Sequence, residues 1–192
     1  SGGVVRVARE GAVERYGAQI GTPNYPVLDA GGTLYVTRSG THNGNDGGIV
    51  RIRPGGATEV LPLTRPLAFA NGLALRGDDL YVAESDAARV VRVTTDGGEP
   101  ETVAELPGTV PDGLAFDTEG ALWITSYQPN RIYRLAANGD LEVVADDPGG
   151  WVLPMPTNVC FAGDDLATVV AQDHGTGPAV GRIGGAADID RG

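Results

Sequence analysis

The stretch VPDGLAFDTEGALWITSY at 110–127 and its upstream echo FANGLALRGDDLYVAES at 69–85 decide how the chain is read. Each sets a short polar side chain before Gly-Leu-Ala, passes through a polar turn, and resumes as Leu-aromatic-β-branched. Working outward, two more copies begin with TPNYPVLD (22–29) and MPTNVCFA (155–162). Aligned on their polar side chains, the copies carry Asn24, Asn71, Asp112 and Asn158, separated by 47, 41 and 46 residues. A second segment follows in each copy: TLYVTRS, DLYVAES, ALWITSY and DLATVVAQD. The third segments GGIVRI, ARVVRV, NRIYRL and AVGRI each place Arg before the last apolar residue. Three copies add a fourth: TEVLPL, ETVAEL and LEVVAD.

These segments are short, rich in Val, Ile, Leu and Tyr, and bounded by Gly, Asp, Asn and Pro. That is the signature of strands and turns, with no sustained helical period. A repeat of this length with four strands predicts an all-β fold, a β-propeller of four-stranded antiparallel blades. One propeller domain is expected over 1–192, with a half blade over 1–20 and blades starting near 22, 69, 110 and 155. The half blade follows from GGVVRVAREGAVERY, which opens on an Arg-bearing third strand. If the chain closes alone, half blades at its two ends combine to give about five blades. Tyr35, Tyr81 and Trp123 share one repeated slot and are expected to pack between blades. The repeated Arg51, Arg92, Arg134 and Arg182 are expected at blade edges, because an anion clamp would be needed once rather than in every blade.

Blade strands alternate in direction, so the loops leading into first strands share one end with the loops joining second to third strands. The four polar slots therefore ring the axis at one mouth, crowded by loops 39–47, 84–88, 126–130 and 173–178. Converging Asn carbonyls and one Asp carboxylate make a hard-oxygen site for one divalent cation. Ca²⁺, Mg²⁺ or Mn²⁺ suit it, and Zn²⁺ suits it less without His or Cys. The plainer alternative is that Asn and Asp before Gly are turn residues. His42 and His174 fall in mouth loops, where an imidazole can shuttle protons, although polar loops also carry histidine without function. Cys160 is expected as a small core residue rather than a nucleophile.

The bulk numbers narrow the classes. A chain of 192 residues with 41% hydrophobic content can bury a core, and 30 Gly with 13 Pro fit many tight turns. A formal charge of −11 argues against nucleic acid or an anionic membrane as partner. No apolar run approaches the ~18 residues of a membrane span. A single cysteine excludes an intrachain disulfide and points to the cytoplasm. There is no Gly-x-Ser-x-Gly elbow and no phosphate-cradling loop.

PNYPVLDAGGTLYVT, ANGLAL with DLYVAES, VPDGLAFDTEGALWITSY with RIYRL, and PTNVCFAG together resemble the senescence marker protein/gluconolactonase/luciferin-regenerating enzyme family over roughly 20–185. The resemblance implies a six-bladed propeller with a divalent cation in its channel, and hydrolysis of sugar lactones or related esters. By motif it implies metal ligation by Asn71 and Asp112, with Asp112 also the general base or nucleophile. It implies contact of Asn24 with metal, bound water or substrate, and a substrate-side position for Asn158. The family's metal-binding Glu from a first-blade E-G-P motif has no counterpart; Glu10 lies between third and fourth strands. About one and a half N-terminal blades of the six-bladed pattern are likewise unmatched, so a piece of a longer protein and a shortened chain both stand. A shortened chain is expected to close as a smaller propeller or to form a homo-oligomer through open blade edges. Two other functions stay open: a catalytically impaired binding or assembly scaffold, and an NHL-like protein-binding propeller.

Overall fold

The computed structural model describes residues 2–163, 166, 168–173 and 178–182. Strands β1 (Gly2–Val7) and β2 (Val13–Gly21) form a two-stranded hairpin. The first blade holds β3 (Pro23–Leu28), β4 (Leu34–Arg38), β5 (Gly48–Ile52) and β6 (Thr58–Val60). The second holds β7 (Ala70–Arg76), β8 (Asp79–Glu84), β9 (Arg89–Thr94) and β10 (Gly97–Glu105). The third holds β11 (Pro111–Phe116), β12 (Leu122–Ser126), β13 (Arg131–Leu135) and β14 (Leu141–Asp146). The fourth shows β15 (Pro156–Ala162), β16 (Thr168–Asp173) and β17 (Pro178–Arg182) among the described residues. Every pairing within a blade is antiparallel and runs in chain order, the meander of a β-propeller. Among the described residues no helix is long and apolar enough to cross a membrane.

The core lies between blades, because each strand alternates its side chains toward two neighbours. Tyr35, Ile49 and Leu61 of the first blade pack with Leu73, Leu80 and Val82 of the second. Ala74, Ala83 and Val90 face the other way, onto Leu114, Leu122 and Ile124 of the third blade. Trp123 and Ile132 then pack against Val159, Val169 and Ala171 of the fourth. The hairpin joins the same scheme through Ile20, which packs on Val36, Val50 and Ile52. Tyr35 and Trp123 are thus interblade residues, as expected, and Tyr81 lies edge-on to Phe116 of the next blade.

Strands β3, β7, β11 and β15 are innermost, each packed against the next around the axis. Each is also the edge strand of its sheet, so one row of its N–H groups goes unpaired. That position tolerates Pro23, Pro26, Pro111 and Pro156, which a central strand would not.

Candidate functional site

All four innermost strands break register with their neighbours at the mouth end. The shift falls between Pro23 and Pro26, Ala70 and Leu73, Pro111 and Leu114, and Pro156 and Asn158. Asn24, Asn71 and Asp112 each follow the first residue of such a bulge, so the ladder no longer confines their side chains. The turn alternative does not hold: Asn71-Gly72 and Asp112-Gly113 lie within strands.

These glycines are demanded by packing. A Cβ on Gly72 would lie 2.0 Å from the Asp112 carbonyl oxygen and 2.9 Å from Gly113 Cα. A Cβ on Gly113 would lie 2.6 Å from Asn158 Cα. The backbones carrying Asn71, Asp112 and Asn158 are therefore in direct contact around the axis. The same register corrects the alignment of the fourth copy. Pro156 pairs with Asp173 as Pro111 pairs with Ser126, which puts Thr157 in the slot of Asp112. Asn158 stands one residue on, at the position of Gly113, Gly72 and Tyr25.

Hydrogen bonds orient the amides. Asn71 Nδ2 donates to Ser85 Oγ at 3.2 Å, and the Ser85 hydroxyl donates to the Pro111 carbonyl at 2.7 Å. With its proton spent on Pro111, Ser85 can only accept from Asn71, so Oδ1 is the atom the Asn71 amide leaves over. Asn24 repeats the arrangement, donating from Nδ2 to Ser39 Oγ at 3.0 Å. Thr37 Oγ1 accepts from the Tyr25 amide at 2.9 Å and donates to the Asn71 carbonyl at 2.7 Å, tying the first bulge to the second. Thr125 Oγ1 accepts from the Gly113 amide at 2.7 Å in the third blade. Asn24 is exposed, whereas Asn71, Asp112 and Asn158 are half-buried.

Asn158 Oδ1 accepts from its neighbour's amide, Val159 N, at 2.9 Å and from the Tyr25 hydroxyl at 3.1 Å. Tyr25 escaped the reading of the sequence because nothing local marks a contact between residues 133 positions apart. Ser39 and Ser85 had a signal, recurring 15 and 14 residues after their Asn partners.

His42 is exposed, with Nδ1 2.7 Å from Asp86 Oδ1 and its ring edge-on to Phe69. Asp86 also accepts from the Asn43 amide at 2.6 Å, so the second blade's 3₁₀ turn, Ser85–Ala87, clamps the first blade's mouth loop. Below it, Glu84 is wholly buried and binds Arg65 through both carboxylate oxygens at 2.8 and 3.0 Å, with Arg89 at 2.6 Å. Burial pushes the Glu84 carboxyl up, but Arg65, Arg89 and the Ala68 amide outweigh it and hold it below the ordinary range. Glu10 sits in the hairpin turn between β1 and β2, away from the slots. Cys160 is exposed rather than core: alternation buries Val159 against the third blade and turns Cys160 to a face no described residue covers. His174 and the side chain of Arg182 lie outside the described residues.

The aligned slots at the mouth end hold Asn24, Asn71 and Asp112, so the side chains a cation could draw on there are two amides and one carboxylate. Among the described residues no three His, Cys, Asp or Glu side chains form a group that could hold a metal ion, so a cation here would rest on one carboxylate with amide oxygens. That donor set fits a hard divalent ion.

The antiparallel sheets packed in sequence define a β-propeller, with the slots of Asn24, Asn71 and Asp112 at one end of its innermost strands. Residues 2–171 match the SMP-30/Gluconolactonase/LRE-like region, and the chain belongs to that family. A curated relative, 6-deoxy-6-sulfogluconolactonase of Pseudomonas putida, is 31% identical over 147 residues, covering 72% of this chain and 47% of the relative. A solved gluconolactonase from Xanthomonas campestris superposes with a TM-score of 0.70 at 18% identity, over 88% of this chain and 61% of its own. Virginiamycin B lyase from Staphylococcus aureus superposes with a TM-score of 0.68 at 22% identity, over 90% of this chain and 55% of its own. The two structures share the fold. The chain spans about half the length of the curated relative it matches.

Proposed function

We propose that the mouth of this propeller is a divalent-cation-dependent site for hydrolysing sugar lactones or related cyclic esters. The observation that carries the reading is the Ser85-fixed amide of Asn71, packed beside Asp112 in a family that includes gluconolactonases. Asp112 and Asn71 would hold the cation, which when bound polarises a carbonyl and lowers the pKa of a water. Asp112 takes a proton from the attacking water on a carboxylate oxygen as the oxygen–carbon bond forms. It returns the proton to the ring oxygen as the ester C–O bond breaks. Asn24 and Asn158 present amide groups to substrate hydroxyls, with Tyr25 fixing the orientation of Asn158.

Elemental analysis of the purified chain after dialysis against Ca²⁺ or Mn²⁺ tests the cation. About one ion per chain, lost in Asp112→Ala, supports the hydrolase. No bound ion at millimolar concentration rejects it and favours the reading as a binding or assembly scaffold.

A further inference from the structure

The repeated arginines do not behave alike, and the difference falls at the end of the propeller opposite the mouth. Arg51, Arg92 and Arg134 occupy one register position, each opposite the aromatic residue of its second strand. Arg51 crosses to the next blade, donating from Nη1 to the Thr95 carbonyl at 3.0 Å and to Asp96 Oδ1 at 3.2 Å. Counted from the repeated arginine, the position of Asp96 in the third blade belongs to Asn138. Asn138 is turned inward on its own hairpin, donating to Asp140 Oδ2 at 2.6 Å and accepting from the Asp140 amide at 3.1 Å. Arg92 keeps its in-blade partners, Glu101 at 2.7 Å and Asp79 at 3.9 Å, but makes no hydrogen bond to the third blade among the described residues. Its side chain is 42% exposed, against 11% for Arg51.

Where that bridge would run there is a cavity of about 330 Å³. Arg76, Arg92, Asn138 and Tyr81 supply its polar lining and Phe116 and Leu122 part of its apolar wall, and among the described residues no acidic side chain lines it. Arg76 donates to the Gly120 carbonyl at 2.8 Å and lies over the Phe116 ring, with no carboxylate partner among the described residues. Two guanidinium groups beside an aromatic wall are distinctive on a chain of formal charge −11. We propose that this cavity binds a small organic carboxylate with an apolar or aromatic body, whose carboxylate meets Arg92 and Arg76 where Asp96 meets Arg51. The volume suits a small ligand, and Arg favours carboxylates through its planar fork of donors. Arg76 and Phe116 end the strands that begin near Asn71 and Asp112, so the cavity is separate from the mouth.

The test is an amide-detected NMR titration of the full chain with phenylacetate, and with phenylacetamide as the neutral control. Phenylacetate is expected to shift the Asn138 and Gly139 amides, with phenylacetamide about tenfold weaker or worse. Arg76→Gln and Arg92→Gln should each weaken phenylacetate by about tenfold. Asn138→Asp supplies an internal carboxylate and should weaken phenylacetate. Equal binding of the acid and the amide would overturn the proposal. So would unchanged affinity in the glutamine variants and in Asn138→Asp, or no shift at about 10 mM phenylacetate.

Discussion

The Tyr25 hydroxyl donates to the Asn158 side-chain oxygen at 3.1 Å, joining the innermost strands of the first and fourth blades. The two blades between them present Gly72 and Gly113 at the same register, so no side chain from those positions stands between phenol and amide. Tyr25→Phe keeps the ring and removes this one bond. It should cost about 1 kcal/mol in denaturant unfolding, the net worth of a typical intramolecular hydrogen bond. A loss near zero would mean that water takes over the contact.

Glu84 and Asp117 are carboxylates whose ion pairs should make stability fall in acid. Burial pushes the Asp117 carboxyl up, while the Trp123 indole, the Ala121 amide and Arg134 pull it below its ordinary value. Both folded pKa values are depressed, so the unfolded chain binds protons first as pH falls. The stabilisation is complete above the unfolded values of about 4.3 and 3.9 and fades as the pH drops through the lower folded ones. Glu84→Gln should flatten part of that acid slope. At neutral pH it should cost about 3 kcal/mol, because Arg65 and Arg89 lose a buried partner. Thermal midpoints measured from pH 7 to 2.5 check both statements.

Gly72→Ala places a methyl against the Asp112 backbone. The neighbouring strand must shift, at a cost of about 1–3 kcal/mol. Gly77→Ala is the control for removing a glycine, since a Cβ at Gly77 meets nothing within 4 Å, although its φ of +59° adds strain. Only the Gly72 variant should also weaken cation binding at the mouth, as read by calorimetry.

Ser85 is a positioning residue. Ser85→Ala releases the Asn71 amide to rotate and should lower cation affinity by about tenfold or more, with the strands intact by circular dichroism. Ser85→Thr keeps the hydroxyl and should recover most of the affinity.

Much of the fold was legible because it repeats. Tyr35, Tyr81 and Trp123 announce one strand three times, and their alternation with buried neighbours is a local property of strands. The candidate slots Asn24, Asn71 and Asp112 were legible for the same reason. The fourth copy misled because its amide, Asn158, drew the alignment by chemical likeness, whereas Pro156 was the true counterpart of Pro23 and Pro111. Cys160 showed the limit of alternation, which tells which face a side chain takes and not what covers that face. Contacts such as Tyr25 with Asn158, or Arg51 with Asp96, depend on how blades stack and leave no mark in either segment alone.

At the mouth, Asp112 with a divalent cation is expected to hydrolyse a cyclic ester. The most direct measurement is the hydrolysis rate of a sugar lactone by the chain and by Asp112→Ala, each with Ca²⁺ or Mn²⁺ and with EDTA. Cation-dependent hydrolysis is expected, falling about 1,000-fold or more in the variant together with loss of the bound ion. Hydrolysis by Asp112→Ala at the rate of the unsubstituted chain, or a rate indifferent to EDTA, would contradict it.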